Sequence, residues 1–215
     1  MSDNLQHIHS RIAAAAGRAG RSAASVRLVA VTKTVGLPEI LELHRLGIRE
    51  MAENRVELAR PKVEAAPPDI FWHMIGPLQT RKAAEVAACF SQFDALDRLK
   101  AAEALQKKCE EQDRTLRVLV EVNVSGETQK HGFEPADLDR ALREMDSFDR
   151  LNVGGLMTMA PFDAPESVLR GCFSSLRKLA NAHGLPELSM GMTDDFEIAI
   201  EEGATQVRIG RALFE

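Results

Sequence analysis

The chain has no tyrosine, one tryptophan and no surplus of positive charge among its 215 residues. Lys and Arg number 27 against 32 Asp and Glu, which gives a net charge of −5. Nucleic-acid binding draws on a basic surface and, for single strands, on aromatic rings, so the composition predicts no nucleic-acid partner. No apolar run approaches the ~20 residues of a membrane-spanning helix. The first residues also lack the basic-then-apolar order of a signal peptide, which predicts a cytoplasmic protein with no membrane partner.

Cysteine is scarce as well. Cys89, Cys109 and Cys172 are far apart and odd in number, and none belongs to a CxxC pair. We therefore expect free thiols that pack as small apolar side chains in a reducing compartment. No HExxH motif or dense His/Asp/Glu spacing occurs, so the sequence predicts no metal site.

The chain does contain a regular alternation of short apolar runs and helical patterns. Eight runs are typical of strands buried on both faces of a parallel sheet. They lie at residues 26–31, 48–51, 70–75, 93–96, 118–122, 153–159, 188–192 and 206–209. The repetition predicts an α/β protein with a single (β/α)8 TIM-type barrel, formed by residues 1–215 as one domain. The alternative, a doubly wound sheet, would use about five or six strands and leave two spare.

Two helical segments bear on how this barrel closes. Residues 5–16 carry Ile8, Ile12 and Ala16 on one face, so we expect a helix before the first strand that packs over the closing edge. Near the other end, Thr193 can cap a short helix that Gly203 ends. Only a short tail follows Gly210, which leaves no room for a long eighth helix.

Lys33 is the first candidate for chemistry, because the carboxyl ends of barrel strands carry the reactive groups. It directly follows an apolar strand, so we expect apolar neighbours around its stem. Desolvation there disfavours the ammonium form, and a neutral amine can attack a carbonyl to form a Schiff base. A surface lysine that happens to end a strand is the alternative, and from this position alone it is favoured.

The junction of Gly191, Met192 and Thr193 is the second candidate. It joins a strand to a helix start, where free backbone N–H groups favour an anion such as phosphate. Gly210 ends the neighbouring strand, and the loops after strands seven and eight are the recurrent phosphate position in barrels. Asp194 and Asp195 would repel a phosphate unless their side chains point away. A plain helix cap at Thr193 explains the junction equally well.

Arg208 lies two residues before Gly210 on the same strand face, which points its side chain inward toward the barrel mouth. A buried arginine needs an acceptor. A ligand nitrogen and a structural salt bridge to Asp or Glu are equally good readings of this position.

The motifs taken together are specific in their order along the chain. They are AVTKT (30–34), ENRV (53–56), WHMIG (72–76), VNVSGE (122–127) with Lys130 and Gly132, GLMT (155–158), LSMGMTDDFE (188–197) and VRIG (207–210). This series closely resembles the pyridoxal 5′-phosphate (PLP) homeostasis protein family, over residues 26–214. The resemblance implies a PLP-binding barrel of fold type III, similar to the N-terminal barrel domain of alanine racemase.

The resemblance also implies roles for individual residues, with PLP as the cofactor. Lys33 matches the lysine that holds PLP as a Schiff base, and Arg208 matches the arginine facing the pyridine nitrogen. The positions that match the phosphate loops are Ser189, Gly191, Met192, Thr193, Gly210 and Arg211. The positions that match residues around the ring are Asn54, His73 and Met157.

Several positions depart from the family pattern. Pro77 replaces a common histidine, and Thr80 with Arg81 stands where Ser-Asn is common. The resemblance therefore assigns no partner or substrate contact to that loop. Arg211 stands where a small hydroxyl residue is common, so a contact through its backbone N–H survives and a hydroxyl contact does not.

A carrier and an enzyme compete as functions. An amino-acid racemase of the alanine racemase kind needs a tyrosine from a second domain as its second base, and the chain has neither. Arg208 beside the pyridine nitrogen also weakens the electron sink that carbanion chemistry uses. A class I aldolase, with Lys33 attacking a sugar carbonyl, is a weaker third reading. We therefore predict a PLP-binding homeostasis protein without catalytic residues, monomeric, with apo PLP-dependent enzymes as partners.

Overall fold

A computed structural model describes residues 1–127 and 129–215, and its centre is a closed barrel of eight parallel strands in chain order. The strands are β1 (Arg27–Val31), β2 (Glu50–Glu53), β3 (Phe71–Met74), β4 (Gln92–Leu96), β5 (Leu116–Glu121), β6 (Leu151–Met157), β7 (Glu187–Ser189) and β8 (Gln206–Ile209). Strand β1 pairs in parallel with both β2 and β8, which closes the ring. The predicted barrel is confirmed, and the doubly wound alternative is wrong.

Helices cover the outside of the barrel. They are α1 (Ser2–Arg18), α2 (Leu37–Arg45), α3 (Val56–Ala65), α4 (Ala83–Cys89), α5 (Leu99–Glu111), α6 (Leu138–Met145), α7 (Glu166–Ala182), α8 (Phe196–Glu201) and α9 (Arg211–Phe214). Helix α1 contacts α8 and α9, the two helices beside the junction of β8 and β1. The predicted leading helix therefore covers the place where the barrel closes, and the last helix is a single turn.

The strand bounds differ from the predicted runs where local geometry ends a strand early. Only two residues of the run at 188–192 belong to β7 (Glu187–Ser189), because the chain turns at Gly191, which adopts a φ of 93°. The run at 48–51 shifts to β2, because Ile48 still belongs to the turn after α2, where its N–H donates to Leu43 O. Apolar character alone cannot separate these residues from strand, since Ile48 is also buried.

The inside of the barrel is unusually polar. A small apolar cluster of Val29, Val31 and Ala52 is separate from the main core between the sheet and the helices. Much of the remaining interior consists of buried polar side chains from β3, β4, β7 and β8, which hydrogen-bond to one another across the ring. Continuous apolar runs predicted a buried sheet but did not reveal this polar interior.

The cysteines behave as predicted. Cys109 and Cys172 are buried and Cys89 is half-buried, and all three are free thiols. Burial raises the pKa of each thiol. Among the helices in the part of the chain that is described, none is long and apolar enough to cross a membrane.

Gly155 marks the tightest approach between two strands. A Cβ added there would lie 2.1 Å from the backbone oxygen of Glu187 in β7, a distance that no side chain tolerates. We expect Gly155→Ala to force β6 and β7 apart and to lower the free energy of unfolding by about 2–4 kcal/mol. Urea unfolding measures this change.

Gly171 in α7 provides the matched control, because a Cβ there would meet no atom within 4 Å. We expect Gly171→Ala to leave stability unchanged or to raise it by up to about 1 kcal/mol. Equal destabilisation by the two substitutions would contradict the assigned strand contact.

Candidate functional site

Lys33 lies in the turn that follows β1, at the rim formed by the carboxyl ends of the strands. Its side chain is exposed, so the expectation of apolar surroundings is wrong. The preceding residue, Thr32, is buried, and its hydroxyl donates to Glu53 Oε1 at 2.6 Å. The turn thus lifts the lysine clear of the apolar strand and leaves its amine in solvent.

Lys62 of α3 is the other lysine at this point of the rim, and its amine is held by hydrogen bonds. Its Nζ donates to Glu53 Oε1 at 2.8 Å and to Thr32 O at 2.9 Å, and Glu53 is only 1 % exposed. Lys33 Nζ, in contrast, makes no hydrogen bond to any of the described residues. Of these two rim lysines, Lys33 is therefore the one whose amine is not held by the described residues.

The loops after β7 and β8 lie side by side and present unused backbone donors. Arg208 N donates to Gly191 O at 3.0 Å, and Arg211 forms an ion pair of 2.8 Å with Asp194, so the two loops are in contact. Four amides on these loops donate to no group in residues 1–127 and 129–215, namely those of Thr193, Asp194, Arg211 and Ala212. Unused amides on adjacent loops at helix starts suit an anion such as phosphate.

The start of α8 differs from the prediction. Asp195, not Thr193, is the residue that precedes the helix, and its Oδ1 accepts from Met192 N at 2.6 Å. Burial raises the pKa of Asp195, although this amide and the charge of Arg208 oppose the rise. The predicted cap at Thr193 is wrong, and Met192 N is already occupied by a carboxylate.

The two loop glycines differ in whether close packing requires them. A Cβ on Gly191 would lie 2.6 Å from Ala199 Cβ, so this glycine allows α8 to pack against the turn. A Cβ on Gly210 would lie 3.5 Å from Val31 Cβ, an ordinary contact. Close packing therefore requires glycine at 191 and not at 210.

Arg208 points into the barrel, as the alternation along β8 predicts, and is 4 % exposed. Its Nη1 donates to Ser189 Oγ at 2.6 Å and its Nη2 to Thr158 O at 2.9 Å. Within the described residues no carboxylate lies in salt-bridge range of it, so the structural salt bridge is not what holds it. Burial lowers the pKa of Arg208, and the charges of Asp94, Asp195 and Glu121 oppose this shift.

Two residues that the resemblance assigns to the cofactor, Ser189 and His73, make hydrogen bonds to other side chains of the barrel interior. Ser189 Oγ accepts from Arg208 and donates to Asp94 Oδ2, inside the barrel rather than on the phosphate loop. His73 bonds Glu50 Oε2 through Nε2 at 2.6 Å and Asp94 Oδ1 through Nδ1 at 3.1 Å. Burial alone would lower the pKa of His73, but Asp94 and Glu50 outweigh it and raise it to about 9. Both ring nitrogens of His73 are therefore occupied, and its side chain is fully buried.

The remaining candidates lie at the same rim. Asn54 follows β2 and lines a cavity of about 520 Å³ with Met74, Pro77 and Gln79. Met157 ends β6 and is buried with the main core, and the adjacent Thr158 carbonyl holds Arg208. Their contacts with a cofactor stay predictions.

Sequence reasoning missed Glu121, a carboxylate at the end of β5 that is 3 % exposed. Burial and the nearby charge of Asp97 raise its pKa to about 7, and Arg208 and His131 oppose this. Its side chain has no hydrogen-bond partner among the described residues. The signal in the sequence that could have identified Glu121 is that it is a charged residue within the apolar run at 118–122.

These features define a class of protein: a parallel βα barrel whose rim combines a lysine with no partner among the described residues, a buried arginine and two adjacent loops with unused backbone donors. The family profile described as the alanine racemase N-terminal domain matches residues 4–215. Alanine racemase of Clostridium difficile shares the fold at 12 % identity, with a TM-score of 0.79 over 99 % of this chain and 56 % of that chain.

Closer relatives narrow the class. The pyridoxal phosphate homeostasis protein of Pseudomonas aeruginosa is 39 % identical, covering 100 % of this chain and 94 % of the relative. The structure of PipY from Synechococcus elongatus with PLP bound is 31 % identical, with a TM-score of 0.85 over 97 % of this chain and 100 % of that chain. The chain belongs to the pyridoxal phosphate homeostasis protein family.

Glu121 generates a prediction about pH. Its pKa of about 7 lies above its ordinary value of 4.5, so the contribution of this carboxyl group to stability is fully present below about pH 4.5 and is lost as the pH rises to about 7. We expect Glu121→Gln to remove this penalty and to raise the free energy of unfolding by about 2–3 kcal/mol at pH 8, but by less than about 1 kcal/mol at pH 5. Urea unfolding at the two pH values measures the difference.

Glu127→Gln is the control. Glu127 pairs with Lys130 on the surface, and this hydrogen bond lowers its pKa, so its removal cannot stabilise the protein at high pH. A gain for Glu121→Gln that is equal at both pH values would contradict the assigned titration.

Proposed function

We propose that this protein binds PLP at the rim, with Lys33 as the amine that bonds the cofactor's aldehyde. The observation that carries the proposal is the contrast between the two rim lysines. Lys62 is tied to Glu53 and Thr32 O, and Lys33 is in solvent beside the strand that pairs with β8. A bound PLP would supply an aldehyde that reacts reversibly with a primary amine.

The donor set fits the other parts of this cofactor. The unused amides of Thr193, Asp194, Arg211 and Ala212 suit a phosphate group, because they point from two adjacent loops and carry no other hydrogen bond within the described chain. Arg208 Nε has no partner among the described residues either, so the guanidinium keeps a donor for a ring nitrogen acceptor. The family relatives support PLP as the ligand, since PipY was solved with it.

The role we propose is holding and releasing PLP in cofactor homeostasis, without turnover of an amino acid. The relatives at 34–40 % identity carry the name pyridoxal phosphate homeostasis protein. The chain also contains no tyrosine that could act as the second base of an alanine-racemase mechanism. The always-charged guanidinium of Arg208 would donate a hydrogen bond to the ring nitrogen without protonating it, which weakens the electron sink of carbanion chemistry but does not by itself exclude a racemase.

The proposal also covers the domain organisation, oligomeric state, location and partners of the protein. We propose one domain spanning residues 1–215, working as a monomer in the cytoplasm and passing PLP to apo forms of PLP-dependent enzymes. An open rim supports this, because a ligand that is to be handed over must be reachable by its recipient. The exposed Lys33 and the exposed Met192 both lie at this rim.

The lysine assignment can be tested with borohydride. The protein is incubated with PLP, its absorbance spectrum is recorded, and borohydride is added to fix the cofactor onto the amine. We expect one PLP per chain, located at Lys33 by peptide mass analysis, and none on Lys33→Ala. Lys62→Arg, which keeps the charge beside Glu53, should still label at Lys33. Unchanged labelling of Lys33→Ala would refute the assignment.

The carrier role has its own test. The loaded protein is mixed with an apo PLP-dependent enzyme, and recovery of that enzyme's activity is followed. We expect recovery from the wild type and much less recovery after borohydride fixation. The same preparation is assayed for conversion of L-alanine to D-alanine, where we expect no enzyme-like rate. Rapid racemisation would overturn the carrier role in favour of a racemase.

A further inference from the structure

We propose that Asp94, at the centre of the barrel, is a positioning residue that fixes Arg208 for the cofactor. The proposal rests on PLP binding at the rim and extends it to a residue that does not touch the ligand. Asp94 is fully buried in β4, opposite the strand that carries Arg208. The link between them runs through the hydroxyl of Ser189.

Asp94 accepts hydrogen bonds from four side chains. His73 Nδ1 lies at 3.1 Å and Gln92 Nε2 at 2.8 Å from Oδ1, and Ser189 Oγ at 3.4 Å and Gln206 Nε2 approach Oδ2. Burial alone would raise the pKa of Asp94, but the charge and hydrogen bond of His73 hold it below its usual range. The barrel interior therefore contains a fixed negative charge with fully assigned donors.

Ser189 transmits this arrangement to Arg208. A serine hydroxyl has one proton to donate and two lone pairs. The proton goes to Asp94, so the lone pairs are left for Gln206 Nε2 at 3.0 Å and Arg208 Nη1 at 2.6 Å. Thr158 O holds the other guanidinium nitrogen. Asp94 thus orients the Ser189 hydroxyl. That hydroxyl is one of the two acceptors that hold the Arg208 guanidinium, and Thr158 O is the other.

On the side of Asp94 away from Ser189, the carboxylate is held by His73. His73 faces a carboxylate through each ring nitrogen, Asp94 on one side and Glu50 on the other, which requires both nitrogens to donate. Glu50 starts β2 at the amino-terminal end of the barrel, where its side chain is 27 % exposed. A chain of alternating charge therefore crosses the barrel from Glu50 through His73 and Asp94 to Arg208.

A polar chain of this length needs a reason, because apolar side chains of similar volume fill a core with equal or better stability. Glu121 and Asp195 also act on the charge of Arg208, but neither forms a hydrogen bond with it. They can balance its charge without orienting it. The oriented anchors are Ser189 and Thr158 O alone among the described residues, which is what a planar donor facing a ligand atom requires.

The test compares Asp94→Asn, Ser189→Ala and the double variant. Binding of PLP and of pyridoxal, which lacks the phosphate, is titrated by absorbance, and the band position of the bound ligand is recorded. We expect each single variant to bind both ligands about tenfold more weakly, with the same band shift. The double variant should lose no more than either single variant, because both changes break one path.

Gln106→Ala is the matched control for stability. Gln106 is a buried polar residue of α5 that bonds Asp149 and the amide of Arg150, outside the barrel. It should lower the urea midpoint without changing ligand affinity or the band. If Asp94→Asn fails to fold, Ser189→Ala still decides the matter, since a direct phosphate contact of Ser189 would weaken PLP binding and spare pyridoxal.

Three results would overturn the proposal: wild-type affinity in Asp94→Asn, additive losses in the double variant, or a loss confined to PLP. Failure of the wild-type protein to bind PLP at all is a different outcome. It would remove the proposed function and this inference with it, whereas the three results above leave PLP binding by Lys33 intact.

Discussion

The pairing of β1 with β8 is the constraint on which the site depends. It joins residues near the start of the chain to residues near its end, with Val29 opposite Arg208 and Ala30 opposite Ile209. Without this closure, Lys33 and the loop after β8 would lie at opposite edges of an open sheet. With it, the amine, the inward arginine and the two loops share one rim. Helix α1 supports the closure from outside, through ion pairs of Arg11 and Arg18 with α8.

The charged groups inside the barrel are stabilised in two different ways. Charged groups buried in a ring of strands are costly unless each finds a partner. His73, Asp94 and Arg208 meet this condition through one connected set of bonds, while Glu121 meets it by taking up a proton near neutral pH. Asp94 and His73 lie within the ring, whereas Glu121 ends β5 at the same rim as Arg208, so the group that titrates is separate from the groups that are held by hydrogen bonds.

The sequence predicted what depends on neighbours along the chain. Continuous apolar runs located the strands, and residues just past each strand end were correctly placed at the rim because parallel strands share their direction. What it could not predict depends on contacts between distant residues. The bond from Gln206 to Asp94 spans 112 positions, and the capture of Met192 N by Asp195 depends on the turn at Gly191. The apolar surroundings expected of Lys33 failed for a related reason, since the turn after Thr32 carries it outward. The identity of the ligand came from a series of motifs, not from the geometry of any single one.

The exposure of Lys33 has a kinetic consequence. If Lys33 binds PLP as proposed, its exposed side chain can be reached and left without any opening of the barrel, and we expect the rates of loading and unloading to follow the chemistry of the amine and aldehyde. An enzyme that must shield a reactive intermediate from water needs the opposite arrangement. On the proposed assignment, the residence time of the ligand depends on the bonds that it makes with the groups around the lysine.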